Sequence, residues 1–566
     1  MAVVACFGCI SIQVGVPGWL DSAKIRPRAG WFVNKQILLL RAAFAAMLLS
    51  CAVARGQVTF QNIVWDGGSV PDDGGQFSYL GSPVIDDVGN VVFSGAASNL
   101  PPDDWGVWSG TPTNVSLVAA EGTSAPGGGI YQDIPHDEGP YAYGDGNVAI
   151  AGDGGLAYSE MIWGGTVGNM SALFEPGSAV PDTNATNIGS ATFGYNDFPN
   201  GAFAGNYYVF QETINGGEAL WSNITGSLHS VAISATQTSG ATAGEALSLP
   251  ENPYGYQSFA INTSGTIVFA GTLEGNADLL MATPSQGFTP VVTEGQAAPG
   301  TPAGDTFSSF SSAPAVALSN SGQIAFAAIL QGSGVNSGNE LGIWAGSPGA
   351  LSLVARSGEQ APGLASGTTF TSTLESTFSS PGISGSTVVF SAILSGPGAI
   401  GGTSGMSLWS WTPGGGLSMI AQAGDPISAG SDVVFNGFGA FEANAAGQIV
   451  FIGYFGQDRQ QGVWLYDPSE GLVPIAYPGE LLQISPGVYD TVENVDGAGG
   501  RFGNGSLGDG ASILNDAGQI PLELSLANHP DGEFIATVPE PASLLALFMP
   551  LYLLGLRRAR SPKTAE

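Results

Sequence analysis

Three histidines, His136, His229 and His529, are the side chains best suited to proton transfer near neutral pH. They fall in different stretches with no paired spacing, so a metal triad or nucleophile–histidine pair would need convergence in the fold. Cys6, Cys9 and Cys51 all precede the expected mature start, which leaves the body with no disulfide framework and no cysteine metal site. No glycine-rich loop opens a helix, so no phosphate cradle is implied. Carboxylates are plentiful enough for a glycosidase-type pair, but nothing in the sequence singles out two of them. One acidic pattern does recur: Asp66, Glu121, Glu175, Glu294, Glu359, Asp425 and Glu480 each stand in a Gly-rich turn. Repeat symmetry would set these acids in a ring on one face, where oxygen-rich loops suit Ca²⁺. The plainer alternative is a solvated acidic turn, and Asp72-Asp73, Asp86-Asp87 and Asp103-Asp104 carry the same ambiguity.

What must position those turns is a tandem array. The run Gln323–Ala327 (QIAFA) has counterparts whose anchor residues are Phe93, Ile150, Phe210, Phe269, Phe326, Phe390, Phe451 and Leu522. The steps between them are 57, 60, 59, 57, 64, 61 and 71 residues, a near-constant period that marks eight structural repeats. Each unit begins with a strand that ends in an Asn/Asp turn closed by Gly, as in Asn262–Gly265 and Asn515–Gly518. The β-branched and aromatic anchor strand follows. A third strand carries Trp108, Trp163, Trp221, Trp344, Trp409 or Trp464, with Leu280 and Phe534 as replacements. A fourth, such as Leu353–Ala355, leads into the acidic turn.

Four antiparallel strands per unit with both faces apolar predict an all-β propeller. The repeated Trp residues are expected in the core between blades. The eighth unit lacks a fourth strand, and Val58–Trp65 near the mature N-terminus matches the missing piece. The array is therefore expected to close as eight blades, with the N-terminal strand completing the last one and removing an open edge. Seven blades is the alternative, because Ser234–Gly244 has lost the acidic turn. Long loops are the expected seats of variable function, chiefly Gln331–Glu340, Ser357–Gly363 and the Gly/Asp-rich stretch Glu480–Gly510.

Composition narrows the partners. Formal net charge is −33, and between Gln57 and Pro541 there is no Lys and only Arg356, Arg459 and Arg501. Such a body is repelled by phosphate backbones, which excludes nucleic-acid binding. Charged residues are only 10% of the chain, so surface polarity rests on Ser, Thr, Asn, Gln and Gly backbone.

The ends read as addresses. Lys35 and Arg41 precede the apolar run Ala42–Ala54, and Ala52-Val53-Ala54 fits signal-peptidase cleavage, releasing a chain that starts near Arg55 or Gln57. Residues ahead of that n-region do not fit a leader, which places the natural start near Val33. A lipoprotein site at Cys51 is a poor alternative because Leu49 is too large for that motif. At the other end, Val538-Pro539-Glu540-Pro541 is followed by the apolar run Ala542–Leu556 and the basic cluster Arg557, Arg558 and Arg560. The run is short for a spanning helix, which needs about 20 residues. This arrangement resembles the PEP-CTERM sorting signal of Gram-negative, biofilm-forming bacteria; an ordinary tail anchor is the alternative. The resemblance implies an exosortase-type partner, processing near Pro539–Pro541 and export to the cell surface or exopolysaccharide matrix. The repeats are also similar to those of uncharacterised PEP-CTERM proteins from planctomycete-like genomes, a likeness that brings no activity.

The expected layout is a leader and signal peptide over 1–56, a propeller over 57–537 and a sorting signal over 538–566. The expected role is a non-enzymatic structural or binding module without a resident cofactor, facing polysaccharide or other surface proteins. It would touch the membrane only through its tail before processing. A secreted carbohydrate-active enzyme on the same scaffold is the alternative.

Overall fold

The anchor run becomes the second strand of each sheet, because alternate β-branched and aromatic side chains can bury on both faces. In the computed structural model, Ile324–Gln331 pairs with Leu341–Ser347, which pairs with Ala350–Arg356, all antiparallel. Eight such sheets follow one another along the body, and the protein is an eight-bladed β-propeller. Described residues span 58–538 except 72–73, 101–104, 133, 135–140, 144–145, 154–159, 175–200, 215–216, 235–245, 251–258, 311–315, 372–377, 401–404 and 498–512. Gln57–Glu540 forms one compact unit; a separate unit contributes residues 6–7 and 10–11, where Cys6–Phe7 pairs with Ile10–Ser11.

We number the blades 1 to 8 by their anchor residues from Phe93 to Leu522. The first strands of adjacent blades lie against one another, so they are innermost. Trp108, Trp163, Trp221, Trp344, Trp409 and Trp464 are all fully buried, as the sequence predicts. Each third strand buries one face against the next blade: Ile343 and Ala345 of blade 5 share a cluster with Phe390 and Trp409 of blade 6. A Cβ on Gly342 would stand 2.5 Å from the Trp344 ring, and one on Gly106 2.7 Å from Trp108, so glycine there makes room for the folded-back indole. The indole N–H of Trp344 donates to the Pro299 carbonyl at 3.0 Å, and that of Trp163 to Pro126 at 3.1 Å. The turn leaving one blade is thereby docked onto the next.

The closing strand is where the N-terminus was expected to place it. Thr59–Trp65 pairs antiparallel with Gly532–Thr537, from Thr59 opposite Thr537 to Trp65 opposite Gly532. In blades 1 to 7 the fourth strand slips register at the third-strand Trp or its replacement. The closing strand slips between Asn62 and Val64, opposite Phe534, so it carries the same bulge in the same place. Phe534 is smaller than the Trp it replaces, and Trp65 packs edge-on against it with ring centroids 5.3 Å apart. Ile63, Val64 and Ile535 of blade 8 share a cluster with Phe93 and Trp108 of blade 1, the same interface as elsewhere in the ring.

One expectation needs refining. The innermost strand, read as continuous, is split in blades 1, 4, 5 and 6. In blade 5 Thr306–Ser309 and Val316–Leu318 pair with opposite ends of the anchor strand. In blade 7 the same position is one strand, Phe435–Ala443, with two register shifts. A twisted anchor strand keeps an inner partner in register at both ends only if that partner leaves or bulges from the ladder between them.

Candidate functional site

Antiparallel order puts the acidic turns and the second-to-third-strand loops at one end of the ring. The Asn/Asp turns and the third-to-fourth-strand hairpins lie at the other.

At the acidic end, the recurrent element is a glycine whose N–H donates to the following blade's first strand. Gly67 bonds Phe77, Gly122 bonds Tyr131, Gly295 bonds Phe307, Gly358 bonds Phe370, Gly424 bonds Phe435 and Gly479 bonds Val492. Against this marker the expected ring of equivalent acids separates into two sets. Asp66, Glu121 and Glu294 precede the glycine, whereas Glu359, Asp425 and Glu480 follow it. The first position turns inward: Glu121 Oε2 accepts from Trp105 N at 3.0 Å and Glu294 Oε2 from Ala277 N at 3.1 Å. Ser357 does the same work with its hydroxyl, accepting from Leu341 N. Asp66 Oδ1 accepts from Gly67 N. In the second position Asp425 Oδ2 caps its own turn by accepting from Gln422 N at 2.9 Å. Burial raises the Glu359 carboxyl from its ordinary range, against the opposing pull of Arg356. Burial pushes Glu480 up to about 7, with one oxygen lacking a hydrogen bond. The two sets do different work, the first binding the start of the third strand and the second capping its own turn. Among the described residues no group of three or more His, Cys, Asp or Glu converges as a metal site. Glu175, Asp72-Asp73, Asp103-Asp104, His136 and the tail residues Pro539, Glu540, Pro541, Arg557, Arg558 and Arg560 lie outside the described residues.

The expected functional loops lie at this same end. Arg356 Nε donates to the Asn339 carbonyl at 2.7 Å, and its guanidinium meets buried Asp305 at 3.0 Å, so Gln331–Glu340 is pinned to the blade. The Glu480 stretch builds an extra hairpin in blade 8, Leu481–Ser485 against Val488–Gly497. Beneath it sits a dyad the sequence does not reveal. His529 Nδ1 donates to Asp490 Oδ2 at 2.6 Å, while Asn528 and Thr491 also donate to this fully buried carboxylate. Burial alone would raise the Asp490 carboxyl, but these donors outweigh it and hold it well below the usual range. His529 is 36% exposed and stacks on Trp65. The 39 residues separating the pair carry no spacing rule, which is why only the fold discloses it.

The opposite end carries the Asx-type turns, and they form a hydrogen-bonded girdle around the axis. Asn262 Oδ1 accepts from Ser264 N and Thr266 N of its own turn, while its Nδ2 donates to the Ser319 carbonyl of the next blade at 3.0 Å. Asn444 reaches Asn515 in the same way, and Asn515 reaches Asp86. Ser319 holds this position in blade 5, with Asn320 one step on; Asn320 Oδ1 accepts from Thr263 N. Within the girdle is a hollow of about 220 Å³ lined by Asp87, Asn320, Ser321, Ser384, Glu442, Asn444 and Asp516, among others. Side chains from five blades thus converge on the axis, and they offer amides, hydroxyls and carboxylates.

Residues 85–545 match DUF7453, a family of unknown function. The chain belongs to that family. The DUF7453 match begins at Ile85, so it leaves out the closing strand, the turn after it and Phe77–Leu80 of blade 1. A comparison with curated protein sequences finds no match. Among solved structures, oligogalacturonate lyase in complex with manganese is similar at 10% identity and a TM-score of 0.34, covering 86% of this chain and 99% of that one. Porphyromonas gingivalis dipeptidyl peptidase 4 is similar at 7% identity and a TM-score of 0.40, covering 84% of this chain and 61% of the peptidase. At such identities and scores these likenesses carry no inference about reaction or substrate for the DUF7453 chain.

Proposed function

We propose that this DUF7453 propeller is an exported, non-enzymatic binding and structural module of the cell surface or matrix. Its partner is a polysaccharide or another surface protein. The observation that supports binding is the axial hollow, where polar side chains from five blades meet at a girdle stiffened by its own hydrogen bonds. A rigid, preorganised polar concavity binds hydroxylated ligands at low entropic cost. Export rests on the tail: Pro539-Glu540-Pro541, the apolar run and Arg557, Arg558 and Arg560 form a signal for an exosortase-type enzyme. A glycan array combined with product analysis tests the binding reading. Retention without turnover is the expected result, and turnover would overturn it. Mass spectrometry of the mature C-terminus tests the export reading; a chain still ending at Glu566 in the matrix fraction would sink it.

A second reading, a carbohydrate-active enzyme, draws on the Asp490–His529 dyad. An imidazole held at Nδ1 by a buried carboxylate and exposed on its other side is arranged as a general base. If glycan turnover is detected, His529→Ala is expected to abolish it; turnover that survives the substitution would remove the dyad from the mechanism.

A further inference from the structure

At the Asx-turn end, outside the axial hollow, two grooves open between neighbouring blades. One, about 290 Å³, lies between blades 3 and 4 and is lined by Thr225, His229, Ser230, Thr283, Pro284 and Ser285, among others. The other, about 160 Å³, lies between blades 6 and 7, and its walls include Ser410, Thr412, Ser418, Tyr466 and Pro468.

These are the same place in the repeat. Ser222 and Ser410 each follow the third-strand Trp, and they pair with His229 and Ser418 respectively, so His229 and Ser418 share one position. Across the groove, Leu280 and Trp464 are equivalent. Ala282 therefore matches Tyr466, and Pro284 matches Pro468. A second recurrence supports the pattern: the fourth strand places a hydroxyl at the His229 position in Ser116, Ser171, Thr289 and Ser352, read from their pairing with Ser109, Gly164, Met281 and Ala345.

The chemistry of both walls is of one kind. It consists of hydroxyls, a proline ring, a phenol or an imidazole, and glycine backbone, joined in the first groove by Ile224, Val231 and Ala282, with no Lys, Arg, Asp or Glu on either wall. His229 Nδ1 stands 3.1 Å from both the Ser227 carbonyl and the Thr225 hydroxyl, which holds the ring as a polar partner for an incoming hydroxyl. Hydroxyl and amide partners exchange hydrogen bonds with sugar hydroxyls, while Pro284, Pro468 and Tyr466 offer flat apolar faces to a pyranose ring. A chain with 46 acids and 13 basic residues, of which only Arg356, Arg459 and Arg501 lie between Gln57 and Pro541, repels polyanions at long range, which sets uncharged glycans apart from polyuronates.

Resting on the polysaccharide-binding reading above, we infer that these interblade grooves are repeated subsites for an uncharged polysaccharide. Each groove is shallow and weak alone. Two or more on one rigid ring convert the second contact into an intramolecular one, which raises avidity by about 10²–10⁴ over a single site. The protein therefore holds polymers and releases short oligosaccharides.

The test is affinity electrophoresis of the full-length protein through dextran, amylose and polygalacturonate gels, with isomaltotriose or maltotriose as competitor. Ser285→Trp fills the first groove and Ser418→Trp the second; both positions are exposed, and melting curves report whether either variant is misfolded. Thr225→Ala and Thr412→Ala serve as a gentler pair that removes hydroxyls without adding bulk. Retention by a neutral polymer, lowered at least tenfold by either single substitution and abolished by both, is the expected result. If the doubly filled protein is retained like the unaltered one, the grooves are not the subsites, while the binding reading stands. If the unaltered protein is retained by none of the polymers, or equally by polygalacturonate, the assignment to uncharged glycans falls; in the first of these cases the binding reading loses its support as well.

Discussion

Asn515 Nδ2 donates to the main-chain carbonyl of Asp86 at 3.0 Å, joining blade 8 to blade 1 across 429 positions of sequence. The same side chain accepts from Ala517 N and Gln519 N, so one amide both shapes its own turn and seals the ring. Asp86 continues the chain of bonds, accepting from Gly146 N of blade 2 at 2.9 Å. Asn515→Ala removes four bonds from a buried position, the fourth being that from Nδ2 to Gln519 Oε1, and is expected to cost about 2–4 kcal/mol. Asn515→Asp keeps the acceptor and loses both bonds of the donor, to Asp86 across the blades and to Gln519 within the turn, so its loss in chemical denaturation reports the donor side. An Asn515→Asp chain as stable as the unaltered one would mean that the bond between blades contributes nothing.

Deleting residues 57–65 strips blade 8 of its outer strand and exposes the edge of Gly532–Thr537. The whole ring is expected to melt at lower temperature and to aggregate, because the exposed ladder invites pairing with another chain. An unchanged melting curve would show that the ring does not need this strand.

Glu533 stands where the other blades bury Val107, Ile162, Leu220, Leu279, Ile343, Leu408 and Val463, and neither of its carboxylate oxygens has a hydrogen bond. Burial first, and its cross-strand neighbour Glu523 second, raise its carboxyl well above the ordinary value of 4.5. The folded chain thus holds this proton more tightly than the unfolded chain. Stability falls as pH climbs above about 4.5, and goes on falling until Glu533 ionises. Glu533→Leu is expected to stabilise by on the order of 1–3 kcal/mol at pH 8 and to flatten the alkaline limb of a pH–stability profile. Glu480 adds the same sign between 4.5 and about 7. An unchanged alkaline slope in the Leu variant would place the pH response elsewhere.

Gly342→Ala forces a methyl to within 2.5 Å of the Trp344 ring. The indole is fully buried and bonded to Pro299, so it cannot swing away without losing that bond. We expect a loss of about 1–3 kcal/mol, the usual cost of overpacking. The same substitution at Gly349, where an added Cβ meets nothing within 4 Å but φ is +79°, separates backbone strain from crowding.

Chelation addresses the acidic turns directly. Glu121, Glu294 and Asp425 already accept main-chain hydrogen bonds. Thermal unfolding is therefore expected to be the same in EDTA and in millimolar calcium. A melting temperature that drops with chelator would assign Ca²⁺ to these turns.

The period of the anchor residues, the recurrent Trp and the orphan N-terminal strand were enough to determine an eight-bladed ring and its closure, because packing between identical units repeats the same demands on the sequence. The absence of Lys from the body likewise sets the expectation that nucleic acid is not a partner. Three things were decided only by the tertiary structure. Whether an acid stands before or after the turn glycine decides its hydrogen-bond partner, so one apparent ring of acids became two sets with different work. The girdle of turns depends on Asn262, Asn444 and Asn515 reaching the next blade, a relation that exists only once the blades are arranged around an axis. The Asp490–His529 dyad forms within blade 8 across 39 residues, and Glu533 is buried on the strand that Thr59–Trp65 covers; neither leaves a spacing in the sequence from which to read it.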